Sequence, residues 1–82
     1  MKGLANLSRL KIITVLSKSK EMAVNDIAAH IHVTLKGTSQ HLQILASLGI
    51  LDREGKNGHV FYALDKNMDP HIREFVERIL KQ

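Results

Sequence analysis

VNDIAAHIHVTLKGTSQHLQILASL, residues 24–48, decides the fold. Val24, Ile27, Ala28 and Ile31 recur at i, i+3, i+4 and i+7, which gives a short helix one apolar stripe and leaves Asn25, Asp26, Ala29 and His30 off it. Asn25 is placed to cap that helix. His32 and Val33 interrupt the period, and Thr34 stands where an N-cap side chain accepts a backbone N–H of the next turn. In the second helix Thr38, Leu42, Leu45 and Leu48 are expected to face inward, with Leu35 and Ala46 flanking them. The other face carries Lys36, Ser39, Gln40 and Gln43. These are small or amide-bearing residues with one cation, types that hydrogen-bond base edges and phosphates without filling a groove. The pattern is a helix-turn-helix, and the rest of the chain reads as support for its second helix.

Downstream, Gly49 stops that helix as a C′ glycine does. Ile50 to Arg53 and Val60 to Leu64 read as two strands joined by Glu54 to His59, with Gly55, Asn57 and Gly58 supplying the positive φ values of a turn. A hairpin directly after such a helix makes a wing. Its tip is expected to carry Arg53, Lys56, Asn57 and His59, within reach of the sugar-phosphate backbone or a minor groove. The last segment opens with Asp69-Pro70, an N-cap followed by proline at the first helical position. Ile72, Phe75, Val76, Ile79 and Leu80 then form an apolar stripe, expected to serve a second subunit once the other elements complete the core.

Upstream, Asn6 or Ser8 can cap a first helix whose Leu7, Leu10, Ile13, Val15 and Leu16 provide the buried side, with Leu4 stapling its entry. Arg9, Lys11 and Lys18 are expected on or near its outer side. Met22 to Val24 is apolar enough for a short extended segment.

Composition narrows the function. Eighty-two residues suffice for one domain, residues 1–82, with a small core but no deep substrate pocket. The formal charge of +4 suits a polyanionic partner. With no cysteine there is neither a disulfide framework nor a thiolate metal site. Met1 to Asn6 lack the apolar run of a signal peptide, and no stretch approaches the roughly 18 apolar residues of a membrane span. The chain is therefore expected in the cytoplasm, with no membrane contact. No nucleophile-base pair, carboxylate dyad or phosphate-cradling loop stands out, so an enzyme is not expected.

From Leu4 to Leu64 the chain resembles the winged-helix repressors of the ArsR/SmtB family. Leu4-Ala5-Asn6-Leu7-Ser8-Arg9-Leu10-Lys11-Ile12 is similar to that family's LADPTRLRIL signature, and Asp26-Ile27-Ala28-Ala29-His30-Ile31 to its ELAEAL helix. Thr34-Leu35-Lys36-Gly37-Thr38-Ser39-Gln40-His41-Leu42 resembles its SQSTVSHHL recognition helix, and Ala46-Ser47-Leu48-Gly49-Ile50-Leu51 its REAGLV exit. Gly58-His59-Val60-Phe61-Tyr62-Ala63-Leu64 looks like its final wing strand, VYYSL. The resemblance implies a mainly α winged helix-turn-helix with a small β-hairpin, and a homodimeric transcription factor laying one recognition helix per subunit in successive major grooves. At matching positions it implies Thr34, Lys36, Gly37, Ser39 and Gln40 at or near DNA and a structural role for His41. Helical geometry adds Gln43, and Gln40 is the best candidate for pairing with adenine.

Departures refine this picture. Metal-sensing members carry a cysteine box, ELCVCDL, where this chain has Glu21-Met22-Ala23-Val24-Asn25-Asp26-Ile27. Another family site uses Asp-x-His at the start of the last helix, completed further along by a histidine and an acid. Asp69 and His71 have the first half of that spacing, but the second histidine falls near Gln82, and Asp69 is explained as an N-cap. No metal or cofactor is expected. The family's helix before LADPTR is represented only by Met1 to Gly3, so a dimer is expected to rest on Ile72, Phe75, Val76, Ile79 and Leu80. Leu35 replaces a residue that is typically polar, where a thymine methyl or a protein could meet it. The sequence thus points to a duplex-DNA-binding regulator, a homodimeric repressor without a thiolate metal site and with an unknown effector. The alternative is a winged-helix module that binds a protein partner.

Overall fold

The computed structural model describes residues 7–81, and the expected roles of Leu4, Asn6 and Gln82 lie outside them. Its elements run α1 (Leu7–Ser17), β1 (Met22–Ala23), α2 (Val24–Ile31), α3 (Leu35–Ser47), β2 (Leu51–Lys56), β3 (His59–Leu64) and α4 (Pro70–Leu80). The strands make a three-stranded antiparallel sheet in the order β1-β3-β2, so the hairpin gains a third strand from the short segment ahead of α2.

One core joins every layer. Ile12, Ile13 and Leu16 of α1, Ile27 and Ile31 of α2, and Leu42 and Leu45 of α3 are buried together with Ile50, Leu51, Tyr62 and Val76. Each large aliphatic side chain so removed from water contributes about 1.5–3 kcal/mol. The buried stripe of α1 is displaced from the expected one: Leu7 is 63% exposed, whereas Ile12 is fully buried. Arg9, Ile12, Ile13 and Leu16 stand at i, i+3, i+4 and i+7, and this is the face that meets the other helices. Ser8 lies inside the helix rather than at its cap.

Helix α2 begins one residue earlier than Asn25 would place it. Ala23 is its N-cap residue and makes no side-chain cap bond. The preceding extended geometry comes from pairing of Met22 and Ala23 with Tyr62 and Phe61, so the sheet sets this helix start in place of a side chain. At the other end, His32 adopts a left-handed conformation (φ 59°) and the N–H groups of His32 and Val33 both reach the Ala28 carbonyl. A non-glycine residue in this region is uncommon, histidine less so than β-branched residues.

Helix α3 ends as expected on Gly49 (φ 81°). The Gly49 N–H donates to the Ala46 carbonyl and the Ile50 N–H to the Leu45 carbonyl, the paired bonds of a Schellman motif, with Ile50 and Leu45 both buried. Leu48 departs from its expected inward position. It is the C-cap residue and 43% exposed, because the chain leaves the helix there and Ile50 takes the core position.

The hairpin is longer and its turn tighter than the glycine spacing suggested. Lys56 pairs with His59, leaving Asn57 and Gly58, both at positive φ (51° and 80°), as a two-residue type I′ turn. Gly55 is therefore a strand residue opposite Val60, and Arg53 lies opposite Tyr62, away from the tip.

Helix α4 starts as expected, with the Asp69 carboxylate accepting the His71 N–H at 2.9 Å. Its stripe is not left wholly to a partner. Val76 is 3% exposed within the single chain, and Ile72, Ile79 and Leu80 pack against the core, since α4 lies on α1 and completes it. Phe75 stays outside, 38% exposed. Among the described residues no helix is long and apolar enough to cross a membrane.

Thr38 is fully buried in α3, and its Oγ1 has no hydrogen-bond partner among the described residues. Replacing the hydroxyl with a methyl of similar shape removes that uncompensated group. Thr38→Val is expected to stabilise the fold by about 1 kcal/mol, roughly 4–8 °C in Tm for a domain of this size. A lower Tm in thermal denaturation would show that the hydroxyl is bonded.

Candidate nucleic-acid interface

The start of α3 is built by three residues that hold one another in place. The Thr34 Oγ1 accepts the Gly37 N–H at 3.0 Å, and the Thr34 carbonyl accepts the Thr38 N–H at 2.9 Å. A Cβ on Gly37 would stand 3.0 Å from Val33 Cγ1 and 3.1 Å from Thr34 Oγ1. The absence of a side chain at Gly37 thus lets the turn fold against the helix, which explains this glycine without contact to a ligand.

With Thr38, Leu42 and Leu45 buried on one side, α3 presents Lys36, Gln40 and Gln43 to solvent, and Ser39 at the margin. The Gln43 Nε2 donates to Ser39 Oγ at 3.3 Å, one helical turn away. Lys36 sits in the first turn with no acidic residue beside it. A cation there works against the positive end of the helix dipole, and the two together favour an incoming anion.

The wing separates its residues. Asn57 occupies the turn and His59 follows it, both exposed, and His59 shares a groove with Leu35, Ser39 and Gly58. Lys56 is turned to the sheet's outer face. Its Nζ lies 2.8 Å from Glu21, 3.8 Å from Glu54 and 5.6 Å from the centre of the Phe61 ring. The hydrogen bond with Glu21 leads the effects that hold this ammonium above its ordinary range. Lys56 straps β2 across β3 to the residue preceding β1, and Arg53 stands further back along β2. The tip itself is therefore polar rather than cationic.

Sequence reasoning set Arg9 on the outer side of α1, but its Nε donates to Nδ1 of His41 on α3 at 3.3 Å. The signal was present: Arg9 stands three residues before Ile12 and four before Ile13, on the buried stripe. This bond ties α1 to the middle of the helix pair and requires His41 to be neutral at Nδ1, in keeping with the structural role expected of it. Partial burial, then the Arg9 charge, lowers the His41 pKa from its ordinary 6.5.

Asp69 is occupied as a helix cap, and among the described residues no three histidine, cysteine or acidic side chains come together to hold a metal.

A capped recognition helix on a helical core, followed by an antiparallel wing, defines a winged helix-turn-helix protein. More closely, the chain belongs to the arsR family of bacterial regulatory proteins, whose family model matches residues 7–53. It is 36% identical over 77 residues to a Staphylococcus aureus protein named as a homolog of the cadmium resistance transcriptional regulatory protein CadC. That match covers 94% of this chain and 61% of the relative. The chain thus spans about three fifths of that relative's length. Among solved structures, AntR, described as an antimony-specific transcriptional repressor, is 30% identical with a TM-score of 0.76, over 98% of this chain and 69% of AntR. A homodimeric winged helix-turn-helix DNA-binding domain from Mycobacterium bovis, described as a possible ArsR-family regulator, is also 30% identical. Its TM-score is 0.74, over 98% of this chain and 67% of that one.

Because the folded His41 binds a proton less readily than the unfolded residue, stability is expected to fall as the pH drops through 6.5 toward the lowered folded value. In an NMR titration of the imidazole, His41 should titrate below 6.5 and move upward in Arg9→Gln. A wild-type value at or above 6.5 would overturn the lowering, and a value unmoved in Arg9→Gln would leave burial as its cause.

Proposed function

We propose that this chain is a sequence-specific, duplex-DNA-binding transcriptional regulator that acts as a homodimeric repressor. The observation that carries this reading is the outer face of α3. Lys36, Ser39, Gln40 and Gln43 face outward from a helix whose opposite side is locked into the core. In the major groove, the Gln40 amide pairs with adenine, Gln43 and Ser39 extend the polar row, and Lys36 with the helix start and Thr34 holds a phosphate. Asn57 and His59 at the wing tip reach the backbone or a minor groove, while Gly37 and Lys56 act indirectly, through the turn and the strap. Arg53, back along β2 from the tip, is placed for an outer phosphate contact only. Such a protein works in the cytoplasm, where the chromosome is.

A dimer sets the spacing of two half-sites. Phe75, with the outer edges of Ile72, Ile79 and Leu80, supplies apolar surface on α4 for a second copy, and Val76 supports it from beneath. The names of the CadC and AntR relatives concern cadmium and antimony. These 82 residues hold no cysteine, so an effector held by them is bound without thiolates.

Binding to a duplex selected from a random pool is expected to weaken steeply with salt, as displaced counterions require. Gln40→Ala should relax preference at one base pair per half-site, a loss of about 1–3 kcal/mol of discrimination. Lys36→Ala should weaken all sequences alike and reduce the magnitude of the salt slope by roughly 0.9 for each phosphate that is no longer neutralised. Fluorescence anisotropy across a salt series measures both, and salt-insensitive or absent binding to every duplex would refute the reading in favour of a protein partner.

Sedimentation equilibrium tests the second part. Wild type is expected to dimerise, and Phe75→Asp, at the stripe residue outside the core, to give a folded monomer. A monomeric wild type at tens of micromolar, about 6 kcal/mol on the affinity scale, would exclude the two-half-site mechanism.

A further inference from the structure

Leu35 opens the recognition helix and is 53% exposed, whereas Leu42 and Leu45 of the same helix are fully buried. Thr34 alone supplies the cap, and Leu35 takes no place in the core cluster, so the fold has no evident use for it. Its position has a use. Leu35, Ser39 and Gln43 stand at i, i+4 and i+8, one row along the helix, and the N-terminal residues of a recognition helix are those that contact base edges. Leu35 also borders a groove shared with Val24, Val60, the turn residue Gly58 and His59 at the start of β3. A small apolar group entering there meets carbon from the recognition helix and from the residues on either side of it.

On the reading that α3 lies in a major groove, we propose that Leu35 is a specificity-determining residue that receives the C5 methyl group of a thymine. The major-groove edge of thymine offers one carbonyl acceptor and that methyl, and the methyl is the feature only an apolar side chain can read. Ser39 and Gln43 in the same row read the polar edges of adjoining bases, and Lys36 beside Leu35 fixes the backbone. A single leucine among Thr34, Lys36, Ser39 and Gln43 is too small and too polar in its surroundings for a protein-docking patch.

The test uses the full chain and duplexes selected from a random pool. Each thymine of the selected site is replaced in turn by deoxyuridine, which removes the methyl and leaves base pairing intact. Wild type is expected to lose about fourfold in affinity at one thymine per half-site, the equivalent of burying one CH₂-sized group. Leu35→Ala should bind the thymine duplex more weakly by a similar factor for each half-site and show no further loss with uracil at that position. Leu35→Met, which keeps an apolar contact, should retain the sensitivity. The exposure of Leu35 makes these variants tolerable to the fold, and thermal melts verify it. If wild type and Leu35→Ala give the same uracil profile, the assignment is overturned although DNA binding stands. If the pool yields no bound duplex, the DNA-binding reading fails first and takes this assignment with it.

Discussion

The turn between α2 and α3 is the constraint on which the rest of the structure depends. Ile31 ends one helix in the core, and Thr38 and Leu42 fix the next on the same core, so the intervening residues must redirect the chain in very few bonds. They do so with a left-handed His32, one carbonyl, that of Ala28, accepting two N–H groups, and a threonine cap. Gly37 closes the arrangement by having no Cβ to strike Val33 or Thr34. Because the turn and the buried stripe together set the rotation of α3, they also decide which of its side chains reach solvent.

The charged residues divide between holding that frame and facing outward. Arg9 bonds His41 across the α1 to α3 contact, and Lys56 binds Glu21 and Glu54 over Phe61 on the outer face of the sheet. These pairings leave the formal charge of +4 unchanged but fix where two of its cations sit. Lys36 at the start of α3 is exposed and has no acidic neighbour in its turn. The wing works more as a braced arm with a polar tip than as a basic finger, and its reach is set by a two-residue turn that keeps the strands paired to the end.

The apolar stripe of helix α4 is wider than the seat that α1 offers. Val76 fills the core, Ile72, Ile79 and Leu80 lie along its edge, and Phe75 remains outside. Apolar surface is thus left uncovered on this face by the described residues. The homodimeric domain from Mycobacterium bovis has a closely similar fold.

Local sequence by itself determined the helix pair, the Thr34 and Asp69 caps, the Gly49 stop and the presence of a hairpin. Each rests on chemistry within about one helical turn: a hydroxyl or carboxylate facing free N–H groups, a glycine at positive φ, an apolar period. The polar face of α3 was legible for the same reason, since a helix with one buried stripe has a defined opposite side. Tertiary structure alone decided the rest. The buried stripe of α1 runs through Arg9 and Ile12 because α3 and His41 lie there; Leu48 turns outward because Ile50 takes its place; α2 starts at Val24 because Met22 and Ala23 pair with β3. The Lys56 ammonium turns aside at the tip for the same kind of reason, an attraction to Glu21, 35 residues away in sequence. Periodicity can say that a face will be buried, but only the packed neighbours choose which face, and they are supplied by residues far along the chain.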